Sequence, residues 1–131
     1  MTSGLVIYDT DRSVSDAIEC LIDVLKKNGF VVFTIIDHAK AAREVGLEMP
    51  DTKVLLFGNP KAGTALMLKR PTLAIDLPSR ILVYDKGHGT TQVVYSKMEY
   101  AANRHGLESP VSDFDATVNK IISSCIEMNL D

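Results

Sequence analysis

Arg80-Ile81-Leu82-Val83-Tyr84, then Asp85-Lys86-Gly87-His88-Gly89, then Thr90-Thr91-Gln92-Val93-Val94-Tyr95 is the stretch on which the fold turns. Two runs rich in β-branched and aromatic residues flank a short loop carrying two glycines, which reads as an antiparallel hairpin. Upstream, Leu77-Pro78 separates the hairpin from a helix that opens on Asn59-Pro60 and ends near Arg70, before Pro71. Asparagine is a strong N-cap, and proline suits the first helical position because its missing N–H would have no partner there. Lys53 to Phe57 reads as a strand leading into that helix.

Further upstream, Asp37 caps a short helix over His38 to Val45, stopped by Gly46 and sealed off by Pro50. Phe30 to Ile36 is a β-branched and aromatic run, too short for a typical helix and bounded by Gly29 and Asp37, so it reads as a strand, and as a central one. Val14, Ala17, Ile18, Leu21, Ile22 and Leu25 recur at helical spacing and predict an amphipathic helix from Val14 to about Asn28. Ser13 with Asp16 resembles a capping box at its start, and Gly29 ends it. Gly4 to Tyr8 is the first strand.

Downstream of the hairpin, Ser96-Lys97-Met98-Glu99 fits a capping box, with Tyr95 and Tyr100 at the flanking hydrophobic positions, so a helix is expected to start at Lys97. Gly106 stops it, and Leu107 is placed to fold back on Ala101 or Ala102. A last helix, capped by Ser112, runs from about Asp113 to Met128, with Phe114, Val118, Ile121, Ile122, Cys125 and Met128 on its apolar face. With no repeat or linker, residues 1–131 form one domain. The class is α+β: a mostly antiparallel sheet of about five strands with helices packed on it.

Composition narrows the function classes. An apolar share of 46% against 24% charged is that of a globular domain rather than a disordered chain. A formal net charge of −3, scattered basic residues and no tryptophan argue against nucleic acid as a partner. Leu5 to Tyr8 is too short for a secretory signal, and no apolar run approaches the roughly 20 residues that span a bilayer. A soluble cytoplasmic protein, without membrane association, is expected. Cys20 and Cys125 fall on different helices without metal-ligand spacing, and are expected to be unbridged, at the core or its edge.

From about Thr34 to Leu107 the chain resembles the uncharacterised family called domain of unknown function 302. The resemblance rests on Asp37-His38, Leu55-Leu56-Phe57-Gly58-Asn59-Pro60-Lys61 with Gly63-Thr64, Asp76-Leu77-Pro78, Ile81-Leu82-Val83-Tyr84, Tyr95, and Arg104-His105-Gly106-Leu107. It implies a compact fold similar to that of the TATA-binding protein and a tendency to dimerise. It implies no activity, and so no catalytic residues; the last helix lies outside the resembling core.

Gly58-Asn59-Pro60-Lys61-Ala62-Gly63-Thr64 has glycines spaced as in a phosphate-binding loop but lacks the lysine and hydroxyl residue after the second glycine. What remains is either a capped turn or a small-anion site at a helix start, where the Lys61 and Ala62 amides, the Lys61 charge, Gly63 and the Thr64 hydroxyl converge. His38 beside Asp37 pairs an imidazole with a carboxylate, the elements of acid–base chemistry. The two turns are expected at the same edge of the sheet. His88 in the hairpin loop reads as solvated and His105 as a helix-end residue. The histidine spacing offers no metal site, and no cofactor is expected.

Two functions fit. The first is a non-catalytic homodimeric module that binds a small ligand or a protein. The other is an enzyme using general acid–base chemistry at His38 and Asp37, with an anion held at the Asn59-Pro60 helix start.

Overall fold

The computed structural model describes residues 4–126. Five strands, β1 (Leu5–Thr10), β2 (Val31–Asp37), β3 (Thr52–Gly58), β4 (Ser79–Gly87) and β5 (Thr90–Ser96), form one antiparallel sheet in the order β1-β5-β4-β3-β2. The hairpin is β4–β5, pairing Ile81 with Tyr95 and Val83 with Val93. Because side chains alternate across a strand, this register sends those four to one face and Leu82, Tyr84, Gln92 and Val94 to the other.

The inner face is the core. Leu55, Phe57, Ile81, Val83, Val93 and Tyr95 are fully buried against α1 (Val14–Lys27) and α5 (Ser112–Ile126). The stripe read from the sequence is the one α1 buries: Val14, Ala17, Ile18, Leu21 and Leu25. Ser13 accepts the Asp16 amide at 3.0 Å, and Gly29, at φ +82°, lets the Phe30 amide reach back to the Leu25 carbonyl. Phe30 and Phe57 meet edge-on, and Phe114 of α5 lies edge-on to Phe30 and stacked on Phe57.

Several expectations change. The apolar run of β2 is not central: α1 carries the chain from one edge strand, β1, to the other, β2, which pairs only with β3. An edge strand can be largely apolar if its outer side is left uncovered, and Val31, Phe33 and Ile36 are indeed exposed. A 3-10 turn, Pro71–Asp76, fills what read as a break between α3 (Pro60–Lys69) and β4. The helix after the hairpin, α4, runs Met98–Arg104, and Ser96 does not cap it. Tyr95 is buried while Tyr100 is exposed over Gly4, so the two do not bracket the helix start.

Cys20 and Cys125, expected unbridged, form a disulfide joining α1 to α5, with Cα atoms 5.7 Å apart. Both sit on or beside stripes that face one core, and the packing of α1 on α5 brings them together. The short helix α2 (His38–Glu44) is capped by Asp37, as expected. Of the expected face of α5, Met128 lies outside the described residues.

Candidate functional site

The sequence-predicted site residues do not assemble. Asp37 at the end of β2 pairs with Lys53, whereas Gly58 at the end of β3 pairs with Val31, so the two turns lie at opposite ends of an antiparallel pair. That separation is roughly 20 Å at about 3.3 Å per residue. The Asp37 carboxylate is used on the Lys40 amide at 2.9 Å, and His38 is exposed with no hydrogen-bond partner among the described residues. At the start of α3, Asn59 Oδ1 accepts the amides of Lys61 (3.1 Å) and Ala62 (3.2 Å), the two donors an anion would need. Asn59 and Gly63 line a cavity beside that helix; Lys61 and Thr64 are not among its lining residues.

The carboxylate–imidazole pair exists elsewhere. Asp76, at the end of the 3-10 turn, lies 2.5 Å from Nε2 of His105, the residue closing α4. An ionised carboxylate only accepts, so Nε2 carries the hydrogen. Nδ1 then faces the Thr72 hydroxyl at 2.9 Å. The result is a chain of groups, Asp76–His105–Thr72, running from a cleft to an exposed hydroxyl. The His105 side chain is 9% exposed, and Arg104 closes on the same carboxylate at 3.0 Å. Arg70 bonded to the Gly106 carbonyl and Lys69 to Ser109 tie the neighbouring chain to the same loop, over a small core of Leu73, Ala102 and Leu107. Leu107 does fold back, its amide bonding to the Ala102 carbonyl.

Asp76 and Arg104 face a polar cleft of about 180 Å³, with Arg80, Lys97, Ser96 and Tyr100. Three cations against one carboxylate leave the cleft positive. Arg80 and Lys97 have no ion-pair partner among the described residues. A second cavity of about 190 Å³, almost wholly apolar, lies between α3 and Phe114. Segments singled out separately in the sequence thus converge here: Gly58-Asn59-Pro60 and Leu77-Pro78 on the apolar cavity, Asp76-Leu77 and Arg104 on the cleft.

Asp115 was missed. It lies on α5, is 6% exposed, and accepts from the Tyr95 hydroxyl (2.5 Å), the Met98 amide (2.8 Å) and the Glu99 amide (3.0 Å). It therefore caps α4 from another helix. Burial first, then the hydrogen bond to Asp115 and its charge, hold the Tyr95 phenol far above its ordinary pKa. The available signal was an acid in helical phase with Val118, Ile122 and Cys125 on an apolar stripe. Among the described residues no cluster of His, Cys, Asp or Glu has the makings of a metal site, and no helix is long and apolar enough to cross a membrane.

The sequence model of the family described as "Domain of unknown function DUF302" matches residues 6–125. A crystal structure titled as an uncharacterized conserved protein DUF302 from Bacillus stearothermophilus superposes with a TM-score of 0.76 at 21% identity, covering 95% of this chain and 97% of that one. Among curated proteins, one named Fluoride-specific ion channel FluC 1 from Brucella suis biovar 1 (strain 1330) is 39% identical over 112 residues, 84% of this chain and 44% of its own length. The protein of the same name from Brucella abortus biovar 1 (strain 9-941) matches at 39% over 84% of this chain and 42% of its own. The chain therefore spans less than half the length of these relatives.

Proposed function

The chain belongs to the DUF302 family, and on that premise we propose that it is an anion-binding domain whose polar cleft carries an acid–base group, Asp76 backed by His105. The observation that supports this is the cleft itself: Arg80, Lys97 and Arg104 line it together with a carboxylate that is paired with Arg104 and hydrogen-bonded to a nearly buried imidazole. Arg80 and Lys97 supply the attraction, while Arg104 and His105 fix the orientation of Asp76. The Asp76–His105–Thr72 chain offers a proton a route between the cleft and solvent. This is the acid–base alternative read from the sequence, carried by a different acid and a different histidine.

The names of the Brucella relatives make fluoride one candidate for this chain's cleft, alongside phosphate and carboxylates. Calorimetric titration with sodium fluoride, phosphate and acetate at constant ionic strength tests the reading. At least one anion is expected to bind, with affinity falling tenfold or more in the Arg80→Ala/Lys97→Ala double variant. No binding by any of the three, or equal binding by the double variant, overturns the reading.

The dimer implied by the family resemblance is supported by the uncovered sheet face. Leu5 is 40% and Ile7 47% exposed, and with Leu82, Val94 and Met49 they form a broad apolar trough. Uncovered apolar surface of this kind marks interaction sites. A homodimer through this face predicts twice the chain mass in sedimentation at micromolar concentration, and a monomer for Ile7→Lys. A native chain that sediments as a monomer throughout removes the reading.

A further inference from the structure

The apolar cavity and the polar cleft are neighbours that share three wall residues: Leu77, Ser79 and Met98. Neither alone reaches the roughly 300–1,000 Å³ usual for a small-molecule pocket, whereas the two together do. Their chemistry is divided. One side is hydrocarbon from Leu66, Met67 and Phe114; the other holds Arg80, Lys97 and Arg104.

Ser79 stands at the junction. It is 7% exposed, lines both cavities, and its hydroxyl makes no hydrogen bond within the described residues. Among the described residues no buried side-chain oxygen or nitrogen lacks a partner, so this hydroxyl is open to the cavities and free to donate to a group held there. A group that accepts from Ser79, carries negative charge on the cleft side and continues as hydrocarbon on the other satisfies all three observations.

Building on the anion reading above, we infer that the two cavities are one site for an aliphatic carboxylate. The carboxylate sits among Arg80, Lys97 and Arg104 and accepts from the Ser79 hydroxyl, and the alkyl chain lies between α3 and Phe114. Gly63 gives a handle on the apolar half. It lies within α3, lines the apolar cavity, and a Cβ there meets only the Leu77 side chain, at 3.9 Å. A leucine at 63 therefore fills the cavity while favouring the helix.

The test is calorimetric titration of the full chain with sodium acetate, butyrate, hexanoate and octanoate at constant ionic strength. Affinity is expected to rise by up to about fourfold per methylene and level off once the cavity is filled. Gly63→Leu, checked for an unchanged circular dichroism spectrum, should bind acetate as the native chain does and lose the dependence on chain length. Ser79→Ala should weaken every member of the series by a similar factor. Acetate binding without any gain from added methylenes overturns the aliphatic assignment and leaves the anion reading standing. A gain that survives in Gly63→Leu also overturns the assignment, because the chain then lies elsewhere. Failure of every carboxylate, together with fluoride and phosphate, removes both.

Discussion

Two helices start near the candidate site, and they are capped in opposite ways. At α3 the cap is local: Asn59 accepts from Lys61 and Ala62, two and three residues ahead. At α4 the cap comes from α5: Asp115 accepts from Met98 and Glu99, 17 and 16 residues before it. The first cap is exposed and serves one helix. The second is buried and ties together a strand residue, a helix start and the last helix, so its loss should be felt across the domain.

Removing the remote cap therefore has the largest expected effect. Asp115→Ala leaves the Tyr95 hydroxyl and two amides without their acceptor in a buried setting, and should cost about 3–4 kcal/mol in urea denaturation. Asp115→Asn, which retains one acceptor oxygen, should cost clearly less. An alanine variant within about 1 kcal/mol of the native chain would show that water substitutes for the carboxylate and that the two caps are equivalent.

The far end of the helix that carries Asp115 is held by the Cys20–Cys125 disulfide, which closes a loop of sequence separation 105. Reduction should destabilise the domain by about 2–4 kcal/mol. The check is denaturation with and without dithiothreitol, beside the Cys20→Ser/Cys125→Ser variant. Disulfides are rare in the cytosol, so the bond and the expected cytoplasmic location pull in opposite directions. Thiol titration of protein purified under alkylating conditions decides which holds in the cell.

Tyr95 shares the Asp115 carboxylate and adds a pH dependence that the Asn59 cap cannot have. Its pKa is raised in the folded state, so the folded chain keeps the phenolic proton when the unfolded chain has lost it. That contribution is intact below the ordinary tyrosine value of about 10, and stability should fall as pH rises above it. Tyr95→Phe should cost about 1–2 kcal/mol at neutral pH and make the decline above pH 10 shallower. Equal slopes in the two proteins would place the alkaline transition on other groups.

The contrast between the caps also marks what was legible in the sequence. The α1 stripe, the Asn59-Pro60 start, the Gly29 and Gly106 stops and the β4–β5 hairpin rest on neighbours within a few residues, and each appears in the structure. Asp115, the disulfide and the Asp76–His105 pair depend on how separate elements pack, with partners 16 to 105 residues apart. Their residues carried partial signals, such as an acid on an apolar stripe and a cysteine on each of two core-facing helices. None named its partner. The placement of β2 failed for a related reason: an apolar run records burial or an open face alike, and only sheet order separates them. His38 and Asn59 both follow strands, which suggests a shared edge, but in an antiparallel pair successive strand ends point in opposite directions.

The smallest expected effect belongs to the local cap. Asn59→Ala frees the Lys61 and Ala62 amides, which face solvent and can be hydrated, so the cost should be about 1 kcal/mol. Asn59→Asp should recover it, because a carboxylate accepts equally well and suits the positive end of the helix. Lys61→Ala should change stability by less than about 0.5 kcal/mol. The same variants locate the anion site. With both amides occupied by Asn59, an anion bound in the Arg80–Lys97–Arg104 cleft is indifferent to Lys61, and its affinity should be unchanged in Lys61→Ala. A marked loss of anion affinity in that variant, with Arg80→Ala/Lys97→Ala unaffected, would return the site to the start of α3 and make the local cap the functional one.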